Sequence, residues 1–195
     1  MTAQPAPTPP VTYVSFSADI NPNTTESLIG VMADCANKGV QEVYLMLSTP
    51  GGSVMHGLNL YNVLKGMPFK LITHNVGHVN SVGNVIFLAG STRYASPHST
   101  FMFHGVGFTA SAGQRLEEKE LRGRLDSVLS DQKQIGSIIA EHTNLGEEDI
   151  ADLFREAQTK DAANAVSCGI VHEIKDVQIP AGSPVLSLVF QRKTA

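Results

Sequence analysis

The sequence predicts an α/β fold built on a largely parallel sheet. Val43–Leu47 is a short, nearly continuous apolar run, the pattern of a strand covered on both faces. Phe69–Val76 and Thr100–Phe103 are two further strand-like runs, with helical spacing of apolar residues between them. Strands alternating with helices in this way imply βαβ units. At 195 residues the chain can bury one sizeable core, so one main domain is expected.

In chain order, residues 1–10 hold four prolines, no positive charge and no apolar run. They read as a disordered arm and not as a signal peptide. Val11–Phe16 alternates and is rich in β-branched residues, which predicts a strand. Asn23 and Glu26 resemble a capping box, followed by Leu28, Ile29, Met32, Cys35 and Ala36 on one helical face, with Gly39 as the stop. Val54, Leu58, Tyr61 and Leu64 mark a second helix, and Ser81–Ala89 a third. Beyond Gly113 a long polar helix carries Leu121, Leu125, Val128, Ile135 and Ile139, a narrow seam suited to packing against another helix. Glu147–Ala157 and Ala162–Ser167 are shorter helices, and Ile170–Ile174 a closing strand. The folded domain is therefore placed at 11–175. Residues 176–195 form a C-terminal extension of unknown role, with a strand-like run at Val185–Phe190.

The formal net charge of −4 gives no reason to expect a nucleic-acid partner. The most apolar stretch, Val82–Ala89, is too short to cross a bilayer, and a cytoplasmic location is expected. Cys35 and Cys168 match no metal spacing, and both are expected to be buried free thiols. The seven histidines offer no convincing ligand spacing, His74 and His78 being a weak pair. Neither a metal nor another cofactor is expected.

Three segments place unusual chemistry at strand ends. In Ser48-Thr49-Pro50-Gly51-Gly52-Ser53, paired glycines let backbone N–H groups face a ligand, either a phosphate or an oxyanion. Taken alone, such a segment is more often just a tight turn. It is not a Walker loop, because no Gly-Lys-Ser/Thr follows. In Gly77-His78-Val79-Asn80-Ser81-Val82-Gly83, Ser81 stands between a strand and an apolar helix, where a helix cap is the ordinary role of serine. In Phe101-Met102-Phe103-His104-Gly105, His104 ends an apolar strand and precedes a glycine-rich stretch.

Together these segments resemble the proteolytic subunit of Clp protease. The shared pattern is a Ser-Pro-Gly-Gly-type turn, then Gly-x-x-x-Ser-x-Gly, then an apolar strand ending Met-x-His. Further likeness runs through Glu141-His142-Thr143 and Ala165–Val171, so that roughly residues 11–175 are covered. The resemblance implies the spiral α/β fold shared with the crotonases, with the long helix as a handle. It implies a serine endopeptidase acting on peptides or unfolded proteins, with Ser81 as nucleophile and His104 as general base. Gly52 and Val82 would supply the oxyanion hole, and Ser53, Val54, Gly105 and Val106 would flank an extended substrate strand. Homo-oligomeric rings and a separate ATP-driven unfoldase follow from the same resemblance.

One position departs from the pattern. The family's third catalytic residue, an aspartate, aligns with Ala157. Glu156 is the candidate replacement, although its helical neighbourhood directs it about 100° away. Asp161 reads rather as a helix cap, and Lys119, the option for a Ser-Lys dyad, rather as part of a solvated charged face. The alternatives are a weaker Ser-His dyad, or a catalytically weak or inactive subunit with a structural role in the ring. A crotonase-like enzyme acting on acyl-CoA thioesters would share the glycine turn without needing Ser81 or His104.

Overall fold

In the computed structural model, residues 11–190 are described. Their elements are β1 (Val11–Ser17), α1 (Pro22–Asn37), β2 (Glu42–Thr49), α2 (Val54–Lys65), β3 (Lys70–Asn80), α3 (Gly83–Leu88) and β4 (Thr92–Ala95). There follow β5 (Thr100–Met102), α4 (Glu118–His142), α5 (Glu147–Glu156), β6 (Thr159–Asp161), α6 (Ala162–Ser167), β7 (Glu173–Ile174) and β8 (Val185–Leu188). The expected N-terminal arm lies outside the described residues.

The strands form one sheet in the order β6-β5-β3-β2-β1-β8, with β4 and β7 branching from β3. Every pairing is parallel except that of β5 with β6. The α/β expectation therefore holds. β3 is longer than the apolar run Phe69–Val76 suggested because it changes neighbour midway. Ile72–Asn75 pairs with β4, and His78–Asn80 pairs with β5. That second half brings the end of β5 beside the end of β3.

The main core is apolar and continuous, with Val14, Phe16, Leu45, Leu47, Leu28, Met32, Leu60, Ile86 and Phe87 fully buried. α1 begins two residues earlier than the Asn23–Glu26 reading. Asn21 is the cap, accepting from the Thr24 N–H, while Thr24 Oγ1 accepts from the Asn21 N–H, and Pro22 fills the first turn. Cys35 is buried as expected, whereas Cys168 is only half-buried; both are free. Cys168 caps the short helix α6, which leaves it near the surface. Along α4 only Ile135 and Ile139 are buried, while Leu121, Leu125 and Leu129 are exposed. No helix among the described residues is long and apolar enough to cross a membrane.

Arg93 is the fold's principal buried cation, 6% exposed and without a carboxylate partner among the described residues. Its guanidinium donates to four carbonyls: Ile170 (2.8 Å), Gly90 (3.3 Å), His142 (2.8 Å) and Gly169 (3.0 Å). These lie at or just past the ends of α3, α4 and α6, where unpaired carbonyls and the helix dipoles both favour a cation. Arg93→Met is expected to cost about 3–5 kcal/mol, because several buried acceptors lose their donor together. The check is the urea midpoint at constant slope.

The opposite face of the sheet carries Tyr13, Tyr44, Met46 and Ile72, with Tyr94 and Val177 packed on them. His74 is fully buried here, with Nδ1 2.6 Å from Tyr44 Oη and Nε2 3.2 Å from Ser96 Oγ. Burial lowers its pKa from 6.5 to about 4. Above pH 6.5 the ring is neutral in both folded and unfolded chains, and this group gives no pH dependence. Between pH 6.5 and 4 the unfolded chain takes up the proton and the folded chain does not. Stability is therefore expected to fall by about 1.4 kcal/mol per pH unit, reaching about 3 kcal/mol by pH 4. Urea titrations at pH 7, 5.5 and 4.5 on wild type and His74→Phe test this: the variant should lose that share of the slope.

Candidate active site

The site forms where the ends of β2, β3 and β5 converge. After β2, the chain turns through Gly51 (φ 91°) and Gly52 (φ 148°), conformations that favour glycine. Ile20 fixes the turn from the side: its N–H donates to the Gly51 carbonyl (2.8 Å), and its carbonyl accepts from Ser53 N–H (2.9 Å). The surroundings also exclude a larger residue. A Cβ on Gly52 would lie 2.3 Å from the Ile20 carbonyl oxygen, and one on Gly51 would lie 2.6 Å from Ser81 Cβ. The glycine turn and Ser81 are thus packed directly against each other.

Ser81 follows β3 and precedes α3. The helix expected over Ser81–Ala89 is shorter, Gly83–Leu88, and Ser81 lies ahead of it in a left-handed conformation (φ 56°). Non-glycine residues seldom adopt that geometry, and it persists only where neighbours enforce it. Here the Ser81 N–H donates to the Met102 carbonyl at 2.8 Å. Ser81 is half-buried in this sharp turn between strand and helix.

His104 stands two residues past β5 and is exposed. Its Nδ1 lies 2.7 Å from the Gly105 carbonyl oxygen, so Nδ1–H donates there and Nε2 is the free basic nitrogen. No hydrogen bond joins His104 to Ser81 among the described residues. Both line one small cleft of about 90 Å³, together with Gly52, Val54, Val82, Asn84, Gly105 and Val106. The N–H groups of Gly52 and Val82 have no hydrogen-bond partner among the described residues. Two donors are therefore unoccupied where the glycine turn meets the serine turn.

The other predicted residues fare differently. Ser53 does not line the cleft, and its N–H is taken by Ile20. Glu156, the last residue of α5, is exposed and forms neither a hydrogen bond nor an ion pair with His104. Asp161 caps α6, its Oδ1 accepting from Asn164 N and Nδ2, both at 2.8 Å. Those hydrogen bonds hold its carboxyl below the usual range. Lys119 lies exposed on α4, away from the cleft.

Position 157 is carried close to the histidine. Phe103 N–H donates to the Gln158 carbonyl (2.8 Å), and Gly105 N–H to the Phe154 carbonyl (2.9 Å). These two bonds bracket His104 on the segment after β5 and residues 155–157 at the end of α5. Ala157 is itself left-handed (φ 48°), the second non-glycine residue in that conformation. The antiparallel strand β6 that creates this neighbourhood was not legible beforehand, since Thr159-Lys160-Asp161 is polar and short. Asn84 was also missed; a lone amide inside the apolar run Val82–Leu88 was its only signal.

Comparison with known proteins bears on the family and the fold. The model of the Clp protease family matches residues 12–178. The chain is 28% identical over 152 residues to the ATP-dependent Clp protease proteolytic subunit 2 of Corynebacterium diphtheriae, covering 74% of this chain and 72% of that one. It is 30% identical over 161 residues to the ATP-dependent Clp protease proteolytic subunit of Oltmannsiellopsis viridis, covering 80% of each. A solved structure of a ClpP1 point mutant from Listeria monocytogenes has the same fold, with a TM-score of 0.74 at 20% identity over 85% of this chain and 92% of that one. The chain belongs to the Clp protease family.

Proposed function

We propose that this chain is a serine endopeptidase that cleaves peptides or unfolded proteins through an acyl-enzyme. The observation that carries the reading is the convergence on one cleft of a serine in a strained turn, a histidine with Nε2 free, and two unoccupied N–H donors. In this mechanism His104 Nε2 takes the Ser81 proton as Oγ attacks the scissile carbonyl, then returns it to the leaving amine. The carbonyl oxygen, now carrying the negative charge, accepts from Gly52 and Val82 N–H. One such donor contributes roughly 3–4 kcal/mol at the transition state. Water then attacks the ester, with His104 again as base. Val54, Gly105 and Val106 flank the cleft and are suited to main-chain recognition of an extended substrate.

The Gly105 carbonyl supplies part of what a triad acid does: it selects the tautomer with Nε2 basic. As a neutral acceptor it stabilises the imidazolium less than a carboxylate would. A slow Ser-His dyad follows, and Ala157 equally favours the second reading, a ring subunit kept for assembly. The exposed leucines of α4 support packing against another copy in either case. The same reading places the chain in cytoplasmic homo-oligomeric rings served by a separate ATP-driven unfoldase.

The test is intact-mass labelling with a fluorophosphonate on wild type, Ser81→Ala and His104→Ala. Stoichiometric labelling of wild type, lost in both variants, is the expected result. A folded, assembled wild type that takes no label would move the assignment to the structural subunit.

A further inference from the structure

We propose that Asn84 is a positioning residue that fixes the nucleophile turn against the strand bearing His104; this rests on the peptidase reading above. Asn84 is 1% exposed, in the first turn of α3, among the buried side chains of Val82, Val85 and Ile86. Its side-chain Nδ2 donates to two carbonyls at once, Met102 at 2.8 Å and Ser81 at 3.0 Å. Its backbone N–H also donates to the Ser81 carbonyl at 3.1 Å, and Ser81 N–H donates to the Met102 carbonyl at 2.8 Å. Four hydrogen bonds thus close a small circuit through Ser81, Asn84 and Met102.

Because both side-chain acceptors are carbonyls, the orientation of the amide is determined: only its NH₂ end can face them. The consequence is that Asn84 Oδ1 is buried with no partner, one of two such side-chain atoms among the described residues. An alanine or leucine at this apolar position would avoid that orphan. A buried polar group left half-satisfied calls for an explanation beyond packing, and such local violations concentrate at functional sites. The circuit provides one. It holds the left-handed conformation of Ser81 from its carbonyl side, which an ordinary helix start would not. It also anchors Met102, two residues before His104, so the nucleophile and base share one fixed reference. Displacements of about 1 Å between reacting groups can lower rates about 100-fold.

The experiment compares wild type, Asn84→Ala and the similarly sized Asn84→Leu as assembled full-length chains. It reads the second-order rate of fluorophosphonate labelling at Ser81, and kcat and KM on a short fluorogenic peptide amide. The expected result is a drop of at least about tenfold in labelling rate and kcat, with KM within about twofold of wild type and oligomer size unchanged. Wild-type rates in either folded variant would overturn the positioning role while leaving the peptidase reading intact. Failure of both variants to fold would assign Asn84 to the core and overturn it too. An unlabelled wild type would remove the peptidase reading and this proposal with it.

Discussion

Ala157→Asp is expected to raise peptide turnover by at least about 100-fold. Loss of the acid in a serine-protease triad costs on the order of 10⁴, so restoring it should recover a sizeable part of that factor. The two backbone bonds from Phe103 and Gly105 already tether the segment holding residues 155–157 to the one holding His104. The backbone at 157 also suits the change. Left-handed φ is unfavourable for alanine, while aspartate tolerates it better, so the variant should lose no thermal stability. The measurement is kcat and KM on a fluorogenic peptide, with Ser81→Ala in the same background as control. A kcat unchanged by the aspartate would mean that the carboxylate does not reach Nδ1. The Gly105 carbonyl would then remain the histidine's only orienting partner.

Gly52→Ala is expected to act in the opposite direction, lowering kcat at least about 100-fold. Two causes coincide. The added Cβ would approach the Ile20 carbonyl oxygen to 2.3 Å, which forces the turn to move, and φ 148° is itself a glycine conformation. On the proposed mechanism the Gly52 N–H would be displaced from the oxyanion, and loss of one oxyanion donor alone costs a factor of about 10²–10³. Gly30→Ala is the contrasting control, because nothing lies within 4 Å of a Cβ placed there. Activity of Gly52→Ala within a few-fold of wild type would remove Gly52 from the oxyanion hole.

Much of the fold was legible because burial writes itself into short apolar runs. β1, β2 and the helices packed on them follow directly from such runs. Legibility failed where tertiary pairing overrides local pattern. β3 continues through Gly77 and His78 to Asn80 because β5 pairs with that segment, something no local periodicity records. The left-handed turn at Ser81 is unfavourable for serine in isolation and is imposed by hydrogen bonds from Asn84 and to Met102. For the site, Gly52, Ser81, Val82 and His104, which the motifs singled out, line one cleft. The chemistry around His104 was harder, since its one hydrogen bond is to a backbone carbonyl, and every residue type supplies one. Glu156 was a candidate by adjacency alone, and adjacency along a helix does not bring a side chain to the cleft.

The left-handed turn at Ala157 has an evolutionary consequence. An alanine codon ending in a pyrimidine becomes an aspartate codon by a single base change, and the backbone here already has the shape that aspartate accepts. On the proposed function, a chain whose Ala157 codon ends in a pyrimidine lies one base change from a form with a carboxylate at the position of the triad acid. On that same proposal, selection could raise or lower proteolytic output without changing Ser81 or His104.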